Sequence, residues 1–286
     1  MHKIKQAIIP VAGLATRIYP MNKVTKKTLL PICDSDGRVK PVILKLIEEL
    51  DEAGIEKIYL IIGKDDRKLY EGLFEKSPIE IFDKLCDEDK IYDEKISRIG
   101  KKIVYIVQNE QLGFGDAVYL AKPELNDEPV LLLLGDTIYK SDENRSSVEQ
   151  LLSCFDEVET SIVALKELEE NELMYYSVLY GKWKDSDKRQ MTIEEVAEKP
   201  SAEYTKNHLL VDDKIFGNFG ALVLTKEVFD EFEEIMRIPI EDGKEYQLMD
   251  AFDKLAKKSV IHGLLINGDS YDIGNTKAYT KVLRKY

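Results

Sequence analysis

Apolar residues along this chain come in short runs parted by polar stretches, and the runs set a strand–helix–strand rhythm. Residues 7–11 form an apolar strand that ends at Ala12-Gly13. A long loop, 14–31, follows. Pro41 then opens an amphipathic helix with Val42, Ile43, Leu46, Ile47 and Leu50 on one face, and Gly54 stops it. Residues 57–62 are almost continuously apolar, which suits a strand buried on both faces of a parallel sheet. Together these segments make a βαβ unit. The polar stretch 64–102 predicts two or three helices standing out from the sheet. Strands are predicted at 103–107, 130–134 and 160–165, with a helix at 113–121.

Further on, the pattern alternates. Residues 175–183 and 190–196 read as antiparallel strands, and 217–224 returns to a buried one. Residues 226–236 and 247–257 read as helices, 261–266 as a strand and 274–283 as a closing helix. With no internal repeat, low-complexity tract or Pro/Gly/Ser linker, the expectation is one continuous domain over 1–286. Its first half is nucleotide-fold-like, and its second half adds strands.

Composition narrows the function. The 286 residues are 44% hydrophobic, ample for a sizeable core, and carry a formal charge of −13. Such a surface repels nucleic-acid phosphates and anionic lipid, so neither is an expected partner. Cys33, Cys86 and Cys154 are far apart, with no CxxC, and read as free thiols of a reducing compartment. The three histidines have no zinc spacing. No signal-peptide pattern or apolar stretch of about 20 residues is present, which points to the cytoplasm.

Against this acidity, the first 33 residues contain no Asp or Glu but do contain Lys3, Lys5, Arg17, Lys23, Lys26 and Lys27. An apolar strand entering a Gly-containing turn, followed by cations, can hold several phosphates. It is equally the pattern of an ordinary buried strand with a solvated loop. Asp136 follows Leu131-Leu132-Leu133-Leu134-Gly135 at the carboxyl end of a predicted central strand, where open α/β sheets bind ligands. A carboxylate there can hold a hard cation such as Mg²⁺, or can simply cap a turn. Asp272, in Ser-Tyr-Asp-Ile-Gly-Asn, is a second such candidate. Glu198 and Lys199 end an alternating strand; they suit sugar hydroxyls and a phosphate, or an exposed ion pair. Adjacent on a strand, they face opposite ways unless a bulge splays them. Gln108 offers both donor and acceptor to a nucleobase edge, and the glycines of Gly113-Phe114-Gly115 allow close approach to a flat ring.

Taken in order, these segments resemble the sugar-1-phosphate nucleotidylyltransferases, and within them the bacterial UTP–glucose-1-phosphate uridylyltransferases. The family's Gly-x-Gly-Thr-Arg signature reads Gly13-Leu14-Ala15-Thr16-Arg17 here, and its Pro-Lys-Glu-x-Leu-Pro reads Lys26-Lys27-Thr28-Leu29-Leu30-Pro31. Gln111-Leu112-Gly113-Phe114-Gly115, Gly135-Asp136, Glu198-Lys199-Pro200, Gln247-Leu248 with Asp250-Ala251, and Tyr271-Asp272 with Gly274 also have counterparts. The helical stretch 64–102 favours the uridylyl branch over the shorter thymidylyl enzymes.

The resemblance implies an α/β, three-layer Rossmann-like nucleotidyltransferase fold, with a mixed, mostly parallel central sheet and a small antiparallel extension. Residues 1–140 would be the nucleotide-binding half, and 141–286 the sugar-binding and oligomerisation half. It implies that Arg17, Lys27 and Lys199 are catalytic, with Lys199 on the sugar phosphate. Ala12, Gly13, Gln108 and Gly113 would cradle the nucleotide. Ser177, Glu198 and Gly220 would bind the sugar, and Asp136 and Asp272 would hold Mg²⁺. UTP and glucose-1-phosphate would be the substrates, UDP-glucose and pyrophosphate the products, and the protein a homo-oligomer, dimer or tetramer.

Several positions depart from the family. Ala15 replaces a glycine, and its methyl would hinder the turn at positive φ. Lys26 replaces a proline. Thr28 replaces an acidic or amide residue that lies near the base in relatives. Ser177 stands where the family shows glycine beside the sugar, and Thr137 replaces a common second Asp. The alternatives these leave are the same reaction on another sugar-1-phosphate or nucleotide, such as dTTP or CTP, and a non-catalytic nucleotide-binding homologue.

Overall fold

The apolar run at 7–11 forms strand β1 (Gln6–Pro10), flanked in parallel by β4 (Lys57–Gly63) and β6 (Val130–Leu133). The computed structural model describes residues 2–241 and 243–285. The other strands are β2 (Pro31–Cys33), β3 (Val39–Pro41), β5 (Ile103–Gln108), β7 (Thr137–Ser141), β8 (Ile162–Leu168), β9 (Ser177–Trp183), β10 (Gln190–Glu198), β11 (Ile215–Leu224), β12 (Ile261–Leu265) and β13 (Gly268–Asp272). The helices are α1 (Val42–Glu52), α2 (Arg67–Phe74), α3 (Ile79–Phe82), α4 (Asp87–Gly100), α5 (Phe114–Tyr119), α6 (Lys122–Leu125), α7 (Ser147–Val158), α8 (Ala202–His208), α9 (Lys226–Met236), α10 (Leu248–Ala256) and α11 (Thr276–Lys285). None of these helices is long and apolar enough to cross a membrane.

Nine strands form one mixed sheet in the order β5-β4-β1-β6-β11-β8-β12-β10-β9. β5, β4, β1 and β6 are mutually parallel, as are β8 and β12, while β11 and β10 run against their neighbours. β9 pairs antiparallel with β10 and returns to pair with Phe216 and Gly217 of β11, so the antiparallel end folds back on itself. That is the predicted extension.

Helices cover both faces of the sheet, which explains the unbroken apolar runs. Ala7 and Ile9 of β1 pack on one side with Leu46 of α1 and Leu151 of α7. Ile8 packs on the other with Val118 of α5, Phe232 of α9 and Phe252 of α10. Each of the larger of these side chains removed from water contributes about 1.5–3 kcal/mol. The stretch 64–102 supplies three helices, α2 to α4.

Three features lie outside the predicted pattern. Helix α7 opens with a capping box between Ser146 and Glu149. The β2–β3 hairpin falls between the predicted loop and the predicted helix, in residues given no element, and its buried Lys40 ion-pairs Asp34 at 2.9 Å and Glu48 at 2.8 Å. β7 and β13 form a two-stranded ribbon in which Asp272 pairs with Thr137. That register brings Asp272 beside Asp136.

Candidate active site

A cleft of about 610 Å³ opens at the carboxyl ends of β1 and β6, the place an open α/β sheet reserves for ligands. It gathers all twelve site residues read from the sequence: Ala12, Gly13, Arg17, Lys27, Gln108, Gly113, Asp136, Ser177, Glu198, Lys199, Gly220 and Asp272.

At its floor, two carboxylates meet two cations. Lys27 Nζ contacts the Asp136 carboxylate. Arg17 bridges the pair, with Nη1 2.8 Å from Asp272 Oδ2 and Nη2 3.7 Å from Asp136 Oδ2. Burial lowers the pKa of the Arg17 guanidinium, but Asp272 and Asp136 more than offset it and hold it above the ordinary value. The backbone fixes the two acids as well. Ile273 N–H donates to Asp136 O at 2.9 Å, and Gly274 N–H to Asp272 Oδ1 at 2.8 Å. Two largely enclosed carboxylates suit a hard cation that completes its shell from phosphate and water. No cluster of three or more potential ligands exists among the described residues, so a metal here would depend on those outside donors.

Behind the floor, Tyr176 is pushed up to about 12 by burial and by Asp272 and Glu172, so it stays neutral. Lys166 Nζ sits 3.8 Å over its ring, and burial lowers the pKa of that ammonium.

One wall is the loop between β5 and α5. Gly113 holds φ +124° and ψ 176°, a glycine-favoured conformation, and a Cβ there would stand 2.8 Å from both the N and the O of Tyr246. Gln108 differs from expectation. Its amide donates to Asp116 Oδ2 at 2.8 Å and to Gly113 O at 3.2 Å, so its donor capacity is spent on the loop and not on a base edge. Sequence reasoning gave no role to Gln111, whose Nε2 donates to Ala12 O at 3.0 Å and ties this loop to the end of β1. Its one signal in the sequence is its place at the head of Gln111-Leu112-Gly113-Phe114-Gly115, which does not announce Ala12 as its partner.

Opposite lie Glu198 and Lys199. β10 ends at Glu198, and Lys199 adopts φ +44°, which turns its side chain back; Nζ lies 3.2 Å from Glu198 Oε1. The strand thus places neighbouring residues on one side of the cleft by ending, not by bulging. Ser177 Oγ donates to the Glu198 carboxylate. Gly220, at φ +102°, is held by Asn218 Oδ1, which accepts from its N–H at 2.8 Å.

The departures resolve individually. Ala15 does sit at positive φ, +55°, so its methyl is carried in the left-handed region. Thr28 does not line the cleft. It is 1% exposed, and its hydroxyl meets Tyr70 OH at 2.9 Å, so it does not act on a base directly. Lys26 Nζ pairs with Asp66 Oδ2 at 2.8 Å. Thr137 is buried at the start of β7 and faces Asp272 in register.

A family model described as nucleotidyl transferase matches residues 6–286. A protein of Staphylococcus epidermidis named UTP–glucose-1-phosphate uridylyltransferase is 31% identical over 100% of this chain and 93% of its own length. One of Staphylococcus saprophyticus, named UTP–glucose-1-phosphate uridylyltransferase 2, is 32% identical with the same coverage. Among solved structures, a UDP-glucose pyrophosphorylase complexed with UDP-glucose superposes with a TM-score of 0.82 at 28% identity, covering 99% of this chain and 98% of that one. A UTP-bound enzyme of the same name from Acinetobacter baumannii gives 0.79 at 22% identity, with 99% and 93% covered, a likeness of fold.

Proposed function

The chain belongs to the nucleotidyl transferase family, and on that premise we propose that it is a uridylyltransferase joining UTP to glucose-1-phosphate. The observation that carries this reading is the cleft itself. Arg17, Lys27 and Lys199 converge on it with Asp136 and Asp272, at the mouth of parallel strands.

The reaction forms one P–O bond and breaks another. A phosphate oxygen of glucose-1-phosphate attacks the α-phosphorus of UTP in line, and pyrophosphate leaves with the electron pair of the α–β bridge. The attacking group is already largely a dianion near neutral pH, its second pKa being about 6, so no strong general base is needed. Bringing two anions together is the main obstacle, and positioning with charge neutralisation answers it. Arg17 and Lys27 lie on the triphosphate side and offset charge that grows in the transition state. Lys199 holds the sugar phosphate. Glu198, steadied by Ser177, accepts sugar hydroxyls. Ala12, Gly13 and Gly113 form the base and ribose cradle, with Gln108 holding its loop. Gly220 gives the sugar a close backbone approach. Asp136 and Asp272 would hold Mg²⁺, which when bound neutralises phosphate charge.

The test is pyrophosphate release with Mg²⁺, over nucleoside triphosphates crossed with sugar-1-phosphates. Turnover concentrated on UTP with glucose-1-phosphate is expected. Turnover on another pair would move the function to a sibling, and silence with nucleotide binding intact would make the chain a binding homologue.

A further inference from the structure

We propose that Asp66 and Tyr70 are positioning residues for Lys27, a clamp that grips the residues on either side of it. This rests on the reading of Lys27 as a catalytic cation. Lys27 opens a single 3-10 turn, Lys27–Leu29, late in a loop whose other regular pieces are two more such turns, Thr16–Ile18 and Met21–Lys23. Loop geometry of that kind does not by itself hold an ammonium group to within the fraction of an ångström that catalysis asks.

The neighbours of Lys27 supply the missing constraint. Lys26 Nζ reaches Asp66 Oδ2 at 2.8 Å, and Thr28 Oγ1 meets Tyr70 OH at 2.9 Å. Asp66 and Tyr70 are one turn apart at the start of α2, joined by a Tyr70 N–H to Asp66 O bond of 3.3 Å. Asp66 Oδ2 also accepts from Gly63 N–H at 3.2 Å, and Gly63 ends β4, opposite Gln108 in register. A continuous path of polar contacts therefore runs from the central sheet, through Asp66, to the residue before Lys27. The second grip is fully enclosed, with Thr28 at 1% and Tyr70 at 0% exposure. Packing alone would be met by Val and Phe in their place. The paired hydroxyls add direction, because a buried O–H must keep its partner. With both flanks fixed, Lys27 turns its own side chain to Asp136.

The experiment compares Tyr70→Phe and Asp66→Asn, each in the parent and in a Lys27→Ala background, by steady-state kinetics with circular dichroism as the folding check. The double variant Thr28→Val with Tyr70→Phe removes both hydroxyls together and stands in if Tyr70→Phe does not fold. In the parent, each single change lowers kcat by about tenfold, and Thr28→Val with Tyr70→Phe lowers it about as much as Tyr70→Phe alone, since both break one contact; these losses stay within the roughly 100-fold cost of a 1 Å misplacement. KM for glucose-1-phosphate stays within about twofold, because the clamp does not touch the sugar side. Once Lys27 is alanine, adding Tyr70→Phe costs less than about twofold more, since its effect runs through the missing ammonium. A folded Tyr70→Phe enzyme with unchanged kcat overturns the clamp, as does an equal loss in both backgrounds. Full turnover by Lys27→Ala alone would instead sink the catalytic reading of Lys27 itself.

Discussion

Gly113→Ala tests the proposed base-side wall where backbone packs on backbone. Gly113 lies where the β5–α5 loop meets the segment before α10. Tyr246 N–H donates to Leu112 O at 2.9 Å, and Gly115 N–H donates to Tyr246 O at 2.9 Å. A methyl at 113 would stand 2.8 Å from that same N and O and 2.9 Å from Glu245 Cβ. The backbone around it cannot yield without losing the two bonds. Alanine at this φ and ψ costs about 1–3 kcal/mol, and each lost bond about 1 kcal/mol. With both bonds lost and the strain kept, the substitution would cost about 3–5 kcal/mol, and movement of the loop relaxes part of the strain. If about 1.5–3 kcal/mol of nucleotide binding goes with the shifted wall, KM for UTP rises about 10- to 100-fold. At saturating UTP, kcat and the KM for glucose-1-phosphate hold within about threefold, because the floor and sugar side are elsewhere. Steady-state pyrophosphate release, with UTP varied at fixed glucose-1-phosphate and the reverse, reads this split. A folded Gly113→Ala enzyme with unchanged KM for UTP would refute the argument, and so would a loss confined to glucose-1-phosphate.

Three further outcomes follow from the same geometry. On the proposed reading, Lys27→Ala removes a unit charge from beside the reacting phosphates, an interaction of about 4 kcal/mol at a few ångströms in a partly screened site. Its kcat is expected to fall by about 100- to 1000-fold in the same assay, with the fold intact by circular dichroism. Ala15→Gly relieves a left-handed alanine, worth about 1–2 kcal/mol, against about 0.4–1 kcal/mol of added chain entropy, so Tm by calorimetry rises by about 1–3 °C. Burial pushes the Glu49 carboxyl up to about 7, despite Lys45 and the Val148 N–H, from an ordinary value of 4.5. The folded protein then binds more protons than the unfolded chain between those two values, so stability falls as pH rises through that window and is level above it. Glu49→Gln should therefore raise Tm at pH 8, by up to about 3 kcal/mol of stability, and change little at pH 4. An equal gain at both pH values would contradict it.

The sheet was legible because its strands are buried on both faces, and Val130–Leu133 or Lys57–Gly63 need no partner to be recognised. The cleft was legible wherever a candidate residue sits just past such a strand, as Asp136 and Gly13 do. What escaped depends on contacts distant in sequence. The β7–β13 ribbon pairs short strands with little apolar signal, and their register alone brings Asp272 to Asp136. Thr28 reads as a base-side residue by position, but the loop turns it inward to Tyr70, and no local pattern announces that partner. Gln108 has the right chemistry for a base, yet Asp116 and Gly113 claim its amide hydrogens. Helix α7 is a different matter, since Ser146-x-x-Glu149 ahead of an apolar run is a sequence signal for a helix start.

Label tracking reaches the central claim most directly. The protein is given glucose-1-phosphate, Mg²⁺ and UTP carrying ³²P at either the α or the γ position, and the products are separated. The account predicts the α label in UDP-glucose and the γ label in pyrophosphate. A γ label transferred to the sugar phosphate, or an α label that leaves UTP without entering a sugar nucleotide, would contradict attack at the α-phosphorus.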